Sequence, residues 1–402
     1  MTATAGRATI PFHVPDLGAD ERAAVIEVLD SGWLTTGPRV VEFEDAIRAA
    51  VGSRHAVAMN SATAALHLGL EALGIGPGDE VIIPTYTFAA SGEVVRYLDA
   101  RPRLADVDAL TLNVTAETIA AQIRPTTRAI MVVHFGGLVA EMGPILELAR
   151  QRNLPVIEDA AHALPASREG RAAGTFGTVG ALSFYATKTV TTGEGGMLLT
   201  DDDAVADRAR VMRLHGISRD AWKRYTAAGS WFYEIEDVGF KYNLTDLAAA
   251  IGLVQLRKAE SMRRDREAVA ARYGAAFAAA GLLDDVELPA WPRDDVVHAW
   301  HLYPIRLRGA AARLGRATLI EALKERGIGT SVHFIPLHLH PYYRRTYGYE
   351  PGDLPIAEAA YEHEVSLPIY PGLAPTDVDR IVETIGSILR TGAPASTVPP
   401  AR

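Results

Sequence analysis

The chain has 402 residues and a formal net charge of −9, and 48% of its residues are hydrophobic, which indicates a globular protein with room for one large and one smaller domain. It contains no cysteine, so disulfides, thiolate zinc sites and cysteine nucleophiles are excluded, and a cytoplasmic location is expected. The sequence has neither a basic stripe nor a long apolar run, so neither nucleic acid nor a membrane is an expected partner.

Predicted strands and helices alternate in the first part of the chain. The first helix starts near Asp20 and stops at Gly32, and its apolar positions are Ala23, Val25, Ile26 and Leu29. Predicted strands then cover 55–59, 80–83, 129–133 and 156–158, and predicted helices cover 62–73, 92–98 and 144–150. This order predicts an α/β fold with a mostly parallel sheet, whose ligands collect beyond the carboxyl ends of the strands.

The pattern changes after Asn243. Residues 244–280 are predicted to form one or two alanine-rich helices, and a mixed segment follows, with strands at 300–307 and 330–335 and helices at 318–326 and 376–389. We therefore predict a large α/β domain at residues 11–255 and a smaller C-terminal α+β domain at 256–391. Residues 392–402 are rich in Pro, Ala, Ser and Thr and are predicted to be disordered.

Lys188 and Asp159 are the strongest candidates for chemistry. Lys188 follows a predicted strand that contains Ser183 and precedes a glycine-rich turn, and Asp159 ends another strand three residues before His162. A lysine amine can bond to an aldehyde, and a carboxylate can keep a pyridine nitrogen protonated. Most lysines are solvated surface charges, but the paired strand-end motifs predict pyridoxal phosphate (PLP) as the cofactor. His162 would contact the phenolic oxygen of the cofactor or hold Asp159.

Two other strand ends fit the same cofactor. Ser61, Ala62 and Thr63 open a helix after a strand, where free N–H groups and hydroxyls can cradle a phosphate. Simple N-capping by Ser61 is the alternative, and the place of this motif in the chain before Asp159 and Lys188 favours the cradle. Phe88 also follows a strand, and it either stacks on a flat ring or packs in the core.

Two further segments are candidates for substrate contacts. A mobile flap that meets an anionic substrate is predicted to contain His333, His338, His340, Arg344 and Arg345. A metal site is not expected there, because a His-x-His pair lacks a third ligand. The segment at 33–38, with Trp33, Thr35 and Thr36, is either a tight turn or part of the pocket lining.

Motifs of competing chemistries are missing from the sequence. It has no Gly-x-Gly-x-x-Gly after the first strand, no P-loop and no Gly-x-Ser-x-Gly elbow. Dinucleotide binding, nucleotide hydrolysis and serine hydrolysis therefore lack their signatures.

The motifs together resemble those of the DegT/DnrJ/EryC1/StrS sugar aminotransferases, a family with the PLP-dependent transferase fold type I. The resemblance extends from about residue 11 to about residue 389. It is carried by the stretches at 32–33, 36–38, 61–65, 158–162, 183–188 and 194–196.

The resemblance implies a role for each matching residue. Lys188 is the lysine that binds the cofactor covalently, Asp159 is the partner of the pyridine nitrogen, and His162 lies on the side of the phenolic oxygen. Phe88 stacks on the ring. The phosphate is held by Ala62, Thr63 and Ser183, and by Asn243 from the other subunit. An active site built from two chains implies a homodimer.

Within the family, the stretches at 239–244, 298–302 and 325–334 resemble the branch that makes UDP-4-amino-4-deoxy-L-arabinose. This likeness implies a nucleotide-linked 4-keto-sugar as substrate, with contacts from Lys241, His333, Phe334 and the segment at 338–345. The sequence differs from the pattern of the family or of this branch at two positions. His162 stands where the family often has Gln, although this branch uses His, and Phe88 stands where the branch has Trp.

The expected activity is transfer of an amino group from L-glutamate to a nucleotide-linked keto-sugar. Amination at C3 is the alternative within the family, because C3 and C4 enzymes share every cofactor motif. A sugar dehydratase of the same fold carries His in place of the lysine, so Lys188 argues against that class. A PLP-binding regulator without turnover is the non-enzymatic alternative.

Overall fold

The computed structural model describes residues 9–218 and 233–391, so the predicted disordered tail at 392–402 lies outside the described residues. The strands are β1 (His55–Met59), β2 (Glu80–Pro84), β3 (Arg101–Ala105), β4 (Thr127–Val133), β5 (Val156–Asp159), β6 (Ser167–Arg168), β7 (Arg171–Ala172), β8 (Val179–Ser183), β9 (Gly196–Thr200), β10 (Val286–Glu287), β11 (Val296–Val297), β12 (Tyr303–Leu307) and β13 (Glu364–Leu367).

The helices make up about half of the rest of the described chain. They are α1 (Ala19–Ser31), α2 (Pro38–Val51), α3 (Ala62–Ala72), α4 (Ala89–Tyr97), α5 (Ala116–Ala120), α6 (Met142–Gln151), α7 (Asp203–Met212), α8 (Asp246–Ala279), α9 (Gly309–Leu314), α10 (Arg316–Glu325), α11 (Pro341–Tyr347), α12 (Pro355–His363) and α13 (Pro375–Thr391).

The central sheet has seven strands in the order β1-β9-β8-β5-β4-β2-β3. Strand β9 is antiparallel to both of its neighbours, whereas the pairs from β8 to β3 are parallel. Strands β2, β5 and β9 are buried along their whole length, as expected when helices cover both faces of a sheet. The predicted α/β fold with a mostly parallel sheet is confirmed.

The parallel strands bring several predicted site residues to one edge of the sheet. Asp159 is the last residue of β5, Ser183 is the last residue of β8, and Lys188 follows in the turn after β8. Ser61 caps α3 immediately after β1. Because β1, β5 and β8 run in the same direction, their carboxyl ends lie on the same side.

Helix α8 joins two hydrophobic cores. Its residues Ala249 and Met262 pack in the core of the central sheet. Its residues Val269 and Phe277 pack with the antiparallel sheet β10-β12-β13. The predicted domain boundary at residue 255 therefore lies inside one continuous helix, and the change from one core to the other occurs between Met262 and Val269.

Two predictions about local structure are wrong. Residues 330–335 form no strand, and the contact with β13 is a single bridge between Ser331 and Ser366. The N–H of His333 instead donates to the side chain of Glu364. This segment therefore does not continue the backbone hydrogen bonding with β13. In α1, the predicted apolar positions Ile26 and Leu29 are 54% and 53% exposed, whereas Val28 is buried.

We find no helix in residues 9–218 and 233–391 with the combined length and hydropathy needed to cross a membrane.

Candidate active site

Asp159 is buried at the end of β5 and is held by hydrogen bonds from two directions. The hydroxyl of Ser91 in α4 donates to Oδ2 at 2.8 Å, and the N–H of Ala161 donates to Oδ1 at 3.2 Å. Thr87 Oγ1 lies 2.8 Å from Ser91 Oγ and completes a short buried chain of hydroxyls. The carboxyl group therefore has a defined orientation before any ligand binds.

Burial raises the pKa of Asp159 above its ordinary value, while Ser91, Ala161 and the Lys188 amine oppose that rise. A buried carboxylate is stabilised by a cation brought next to it. A protonated pyridine nitrogen is such a cation, so Asp159 has the surroundings that its predicted role requires.

The Lys188 amine lies in the same buried region. Its Nζ atom is 3.4 Å from Nε2 of His301. Burial lowers the pKa of Lys188 to about 8, against the opposing attraction of Asp159, and the positive charge of Arg266 lowers it further. A fraction of the amine is therefore uncharged near neutral pH and able to attack an aldehyde.

Three histidines and one phenylalanine surround the amine. The rings of His162 and His301 have centroids 4.4 Å apart, and His162 stacks on Phe334 at 5.9 Å. Burial is the main cause that lowers the pKa of His162, His301 and His333, with a further lowering by Lys188. All three rings are therefore neutral at pH 7 and act as hydrogen-bonding groups.

Phe88 lies at the open side of this group. Its ring is 63% exposed, and its centroid is 6.0 Å from that of Phe334. Of the two interpretations of Phe88, core packing is excluded by this exposure. An exposed ring beside Phe334 is available to stack on a flat ligand.

The residues predicted to hold a phosphate lie where β1, β8 and β9 come together. Ser61 caps α3 by accepting a hydrogen bond from the N–H of Ala64 at 3.1 Å. Ser183 pairs with Gly196 across the β8–β9 ladder. A Cβ atom at Gly196 would collide with the backbone of Ser61 and Ala62, so glycine is required for this approach. The first N–H groups of α3 lack partners inside the helix, which suits a phosphate.

Together these groups fit PLP, since one buried region holds a lysine amine and a carboxyl group and the N-terminus of α3 beside it is suited to a phosphate. In the described part of the chain, no group of three His, Asp or Glu side chains could hold a metal ion.

A second group of predicted residues is centred on Asn243. The Asn243 amide donates to Thr36 Oγ1 at 2.7 Å and accepts from Lys241 Nζ at 2.5 Å. The Trp33 indole donates to the carbonyl of Thr36, and the carbonyl of Thr35 accepts from the N–H of Asp246. The backbone of Asn243 bridges to Met59, which places this group beside the end of β1.

The prediction that His338 contacts the substrate is wrong. Its side chain is fully buried, with Nδ1 2.8 Å from Thr85 Oγ1 and Nε2 2.8 Å from Glu358 Oε1. Both ring nitrogens are occupied within the fold, so His338 has no atom free for a substrate. His333, in contrast, lies in the group around Lys188, where its ring stacks on Phe12.

The sequence analysis missed Ser91 and His301. His301 belongs to a stretch that matched the family, which was a usable signal, but no role was assigned to it. Ser91 carries no local signal, because a serine near the start of a helix has many structural uses. Its importance arises only from the pairing of β2 with β4 and of β4 with β5.

Comparison with known proteins agrees with this geometry. The sequence profile of the DegT/DnrJ/EryC1/StrS aminotransferase family matches residues 15–386. The spore coat polysaccharide biosynthesis protein SpsC of Bacillus subtilis is 46% identical over 382 residues, which cover 95% of this chain and 97% of that protein.

Solved structures are similar over almost the whole chain. The aminotransferase TlmJ from Streptoalloteichus hindustanus has 35% sequence identity and a TM-score of 0.87, covering 95% of this chain and 99% of that chain. Spr1654 from Streptococcus pneumoniae, assigned as a sugar aminotransferase and solved in its PLP form, has 31% identity and a TM-score of 0.88, with the same coverage. The chain therefore belongs to the DegT/DnrJ/EryC1/StrS family and is a PLP-dependent sugar aminotransferase of fold type I.

Proposed function

We propose that this enzyme transfers an amino group from L-glutamate to C4 of a nucleotide-linked keto-sugar. The observation that carries the proposal is the pairing of Lys188 with Asp159 in one buried region, where burial lowers the pKa of the lysine and raises that of the carboxyl group. A nucleophilic amine and a carboxyl group that favours a nearby cation are the two groups that PLP-dependent transamination needs.

The bound cofactor supplies an aldehyde for the amino group and a ring that withdraws electrons from the reacting carbon. Lys188 would hold the cofactor through its amine. Once displaced by the donor amine, it would act as the base that moves a proton from Cα of the donor to C4′ of the cofactor. Asp159 would keep the ring nitrogen of the cofactor protonated, and Ser91 donates a hydrogen bond that orients Asp159. Burial lowers the pKa of His162, so its ring is neutral, and it would lie on the side of the phenolic oxygen of the cofactor. The exposed ring of Phe88 would stack on the cofactor ring.

The proposed substrate is supported by three sequence segments and by two side chains that can donate hydrogen bonds. The stretches at 239–244, 298–302 and 325–334 resemble the branch that aminates C4. Lys241 and His333 supply the donors for the diphosphate of the nucleotide. Phe334, Trp33, Thr35 and Thr36 line the proposed sugar site. Amination at C3 is the second candidate, because the cofactor motifs are the same.

We also propose that the enzyme is a homodimer with shared active sites. Five apolar side chains of α1, α2 and the segment between them are exposed on one chain by 38–54%: Ile26, Leu29, Trp33, Leu34 and Val41. Several large apolar side chains exposed within one short stretch of chain are the kind of feature that an interface covers. Trp33 contacts Thr36, and Thr36 contacts Asn243, so Asn243 lies at the edge of this surface and within reach of a partner.

A panel of nucleotide-linked 3-keto- and 4-keto-sugars, incubated with glutamate and followed by mass spectrometry, tests the function. NMR of the product then gives the position of the new amine. A preference for the 3-keto-sugars would overturn the C4 assignment alone. Colour that does not bleach when glutamate is added, with no product from any sugar, would favour a PLP-binding regulator.

A further inference from the structure

Strand β13 contains a buried acid, Glu364, whose side chain points away from the core of the smaller domain. Side chains alternate along a strand, so Val365 and Leu367 share one face and Glu364 and Ser366 share the other. Val365 and Leu367 pack in the core of the smaller domain. Glu364 and Ser366 are both 0% exposed, and they face the segment that contains His333.

These three residues form a closed set of hydrogen bonds. Glu364 Oε2 accepts from the backbone N–H of His333 at 2.9 Å. The other carboxyl oxygen, Oε1, lies 2.5 Å from Ser366 Oγ, and Ser366 Oγ lies 2.8 Å from Nδ1 of His333. A continuous path of hydrogen bonds therefore joins the buried acid to the imidazole ring.

The surroundings of Glu364 favour its neutral form. Burial raises the pKa of Glu364 to about 8, against the opposing effects of Ser366, the His333 N–H and the cation of Arg316. Arg306, which lies opposite Glu364 in the β12–β13 ladder, directs its guanidinium to Glu287. The phenol of Tyr86 is also close enough to interact with the carboxyl group, and its own pKa is raised by burial.

The protonation state of Glu364 sets the direction of every hydrogen bond in the path. A neutral carboxyl group donates from Oε1 to Ser366, so the serine hydroxyl donates to Nδ1 of His333 and the ring hydrogen lies on Nε2. An ionised carboxylate accepts from the serine hydroxyl, which then accepts from Nδ1, and Nε2 carries a lone pair instead.

We propose that Glu364 is a positioning residue that acts through Ser366 to fix the tautomer of His333, so that Nε2 carries the ring hydrogen and donates to an oxygen of the substrate. In the part of the chain that the structure describes, Nε2 of His333 makes no hydrogen bond of its own. His333 interacts electrostatically with His162 and Lys188, so its ring lies beside the reaction site. The identity of the accepting oxygen rests on the proposed function, whereas the tautomer does not.

Ring-nitrogen NMR of the full-length protein tests the proposal. Histidine labelled with ¹⁵N reports the tautomer directly, and a His333→Gln sample identifies the signal among the 12 histidines. In the wild type, the hydrogen of His333 should lie on Nε2 at pH 7 and move to Nδ1 as the pH rises past about 8. In Glu364→Gln, whose amide donates to Ser366 at every pH, it should stay on Nε2 throughout.

Two further variants complete the experiment. Ser366→Ala interrupts the path, so the tautomer of His333 should no longer change with pH near 8. Glu362→Gln makes the same chemical change at an exposed position two residues away and should behave as the wild type. The proposal is overturned if His333 carries its hydrogen on Nδ1 at pH 7, or if the wild type and Glu364→Gln agree at pH 9.5.

Turnover measured on the same samples separates this proposal from the proposed function. An absence of product with every keto-sugar would reject the substrate assignment and leave the NMR result intact. Normal turnover together with identical spectra for the wild type and Glu364→Gln would reject the role of Glu364 alone.

Discussion

Ser91 of α4 donates a hydrogen bond of 2.8 Å to Asp159 at the end of β5, and both side chains are buried. Helix α4 follows β2, which is separated from β5 by β4 in the sheet, so a different βα unit helps to orient the acid together with the N–H of Ala161. Replacement of Asp159 and replacement of Ser91 should therefore lower turnover by different amounts.

Asp159→Asn should reduce turnover by several orders of magnitude and leave the fold intact, because an amide cannot hold the proton on the pyridine nitrogen. Ser91→Ala removes one hydrogen bond and should cost only about tenfold. Steady-state kinetics with a matched measurement of PLP content checks both. Turnover of Asp159→Asn within tenfold of the wild type would assign the role to another residue.

Covalent loading of the cofactor should depend on pH through Lys188. The uncharged amine is the nucleophile, and the pKa of Lys188 is about 8, so the rate of capture should rise about tenfold per pH unit below 8 and level off above it. Borohydride reduction followed by peptide mass analysis measures the yield at Lys188. Lys188→Ala should show no labelling, and Lys324→Ala, at an exposed lysine, should match the wild type. A rate independent of pH between 6 and 8 contradicts the lowered pKa.

A charge on the exposed apolar surface of α1 should dissociate the dimer. Ile26→Glu and Leu29→Glu place a carboxylate at positions that are 54% and 53% exposed in one chain, where it would be desolvated in an interface. Sedimentation velocity should show monomers for both variants. Leu283→Glu, at an apolar position exposed by 48% on the smaller domain, should remain dimeric. Dimers in all three variants would place the interface elsewhere.

Shared active sites predict complementation between two inactive variants. Lys188→Ala lacks the catalytic amine, and Asn243→Asp repels the cofactor phosphate of the partner's site. A mixed dimer should contain one site that carries neither change, so mixtures should regain about a quarter of the wild-type activity if subunits assort at random. Mixtures that contain heterodimers by native mass spectrometry and show no activity would indicate that each chain builds its own site.

The buried Glu364 should make stability depend on pH. Its pKa is about 8 in the folded protein against 4.5 as a reference for the unfolded chain, so its contribution is fully present below pH 4.5 and is lost as the pH rises to about 8. Glu364→Gln cannot ionise, so its stability relative to the wild type should increase with pH by about 1.4 kcal/mol per unit across that range. Urea denaturation at pH 5, 7 and 9 measures the difference. A difference that is the same at all three values contradicts the burial of the neutral acid.

The strand ends that carry the cofactor site could be predicted because their signals are local. Lys188, Asp159 and Ser61 each follow an apolar strand, and parallel strands bring such ends together. The long helix after Asn243 was also predictable from its composition. The cofactor and the family follow from these elements, and both were confirmed.

The remaining features depend on contacts that no local pattern contains. His301 and Ser91 reach the site only through tertiary packing. The apolar periodicity of α1 correctly predicted a helix, but a period cannot tell whether Ile26 and Leu29 face the core of their own chain or another surface. Residues 330–335 have the alternation of a strand, yet the carboxyl group of Glu364 accepts the hydrogen bond that a neighbouring strand would receive.

Because α8 contributes side chains to both cores, neither core is complete without it. A fragment that ended at residue 255 would lose Met262 from one core, and the complementary fragment would begin with a helix whose first turns have no surface to pack on. Melting of the smaller domain would expose half of α8, and a helix loses stability when half of its packing is removed. The shared helix therefore couples the stability of the smaller domain to that of the larger one.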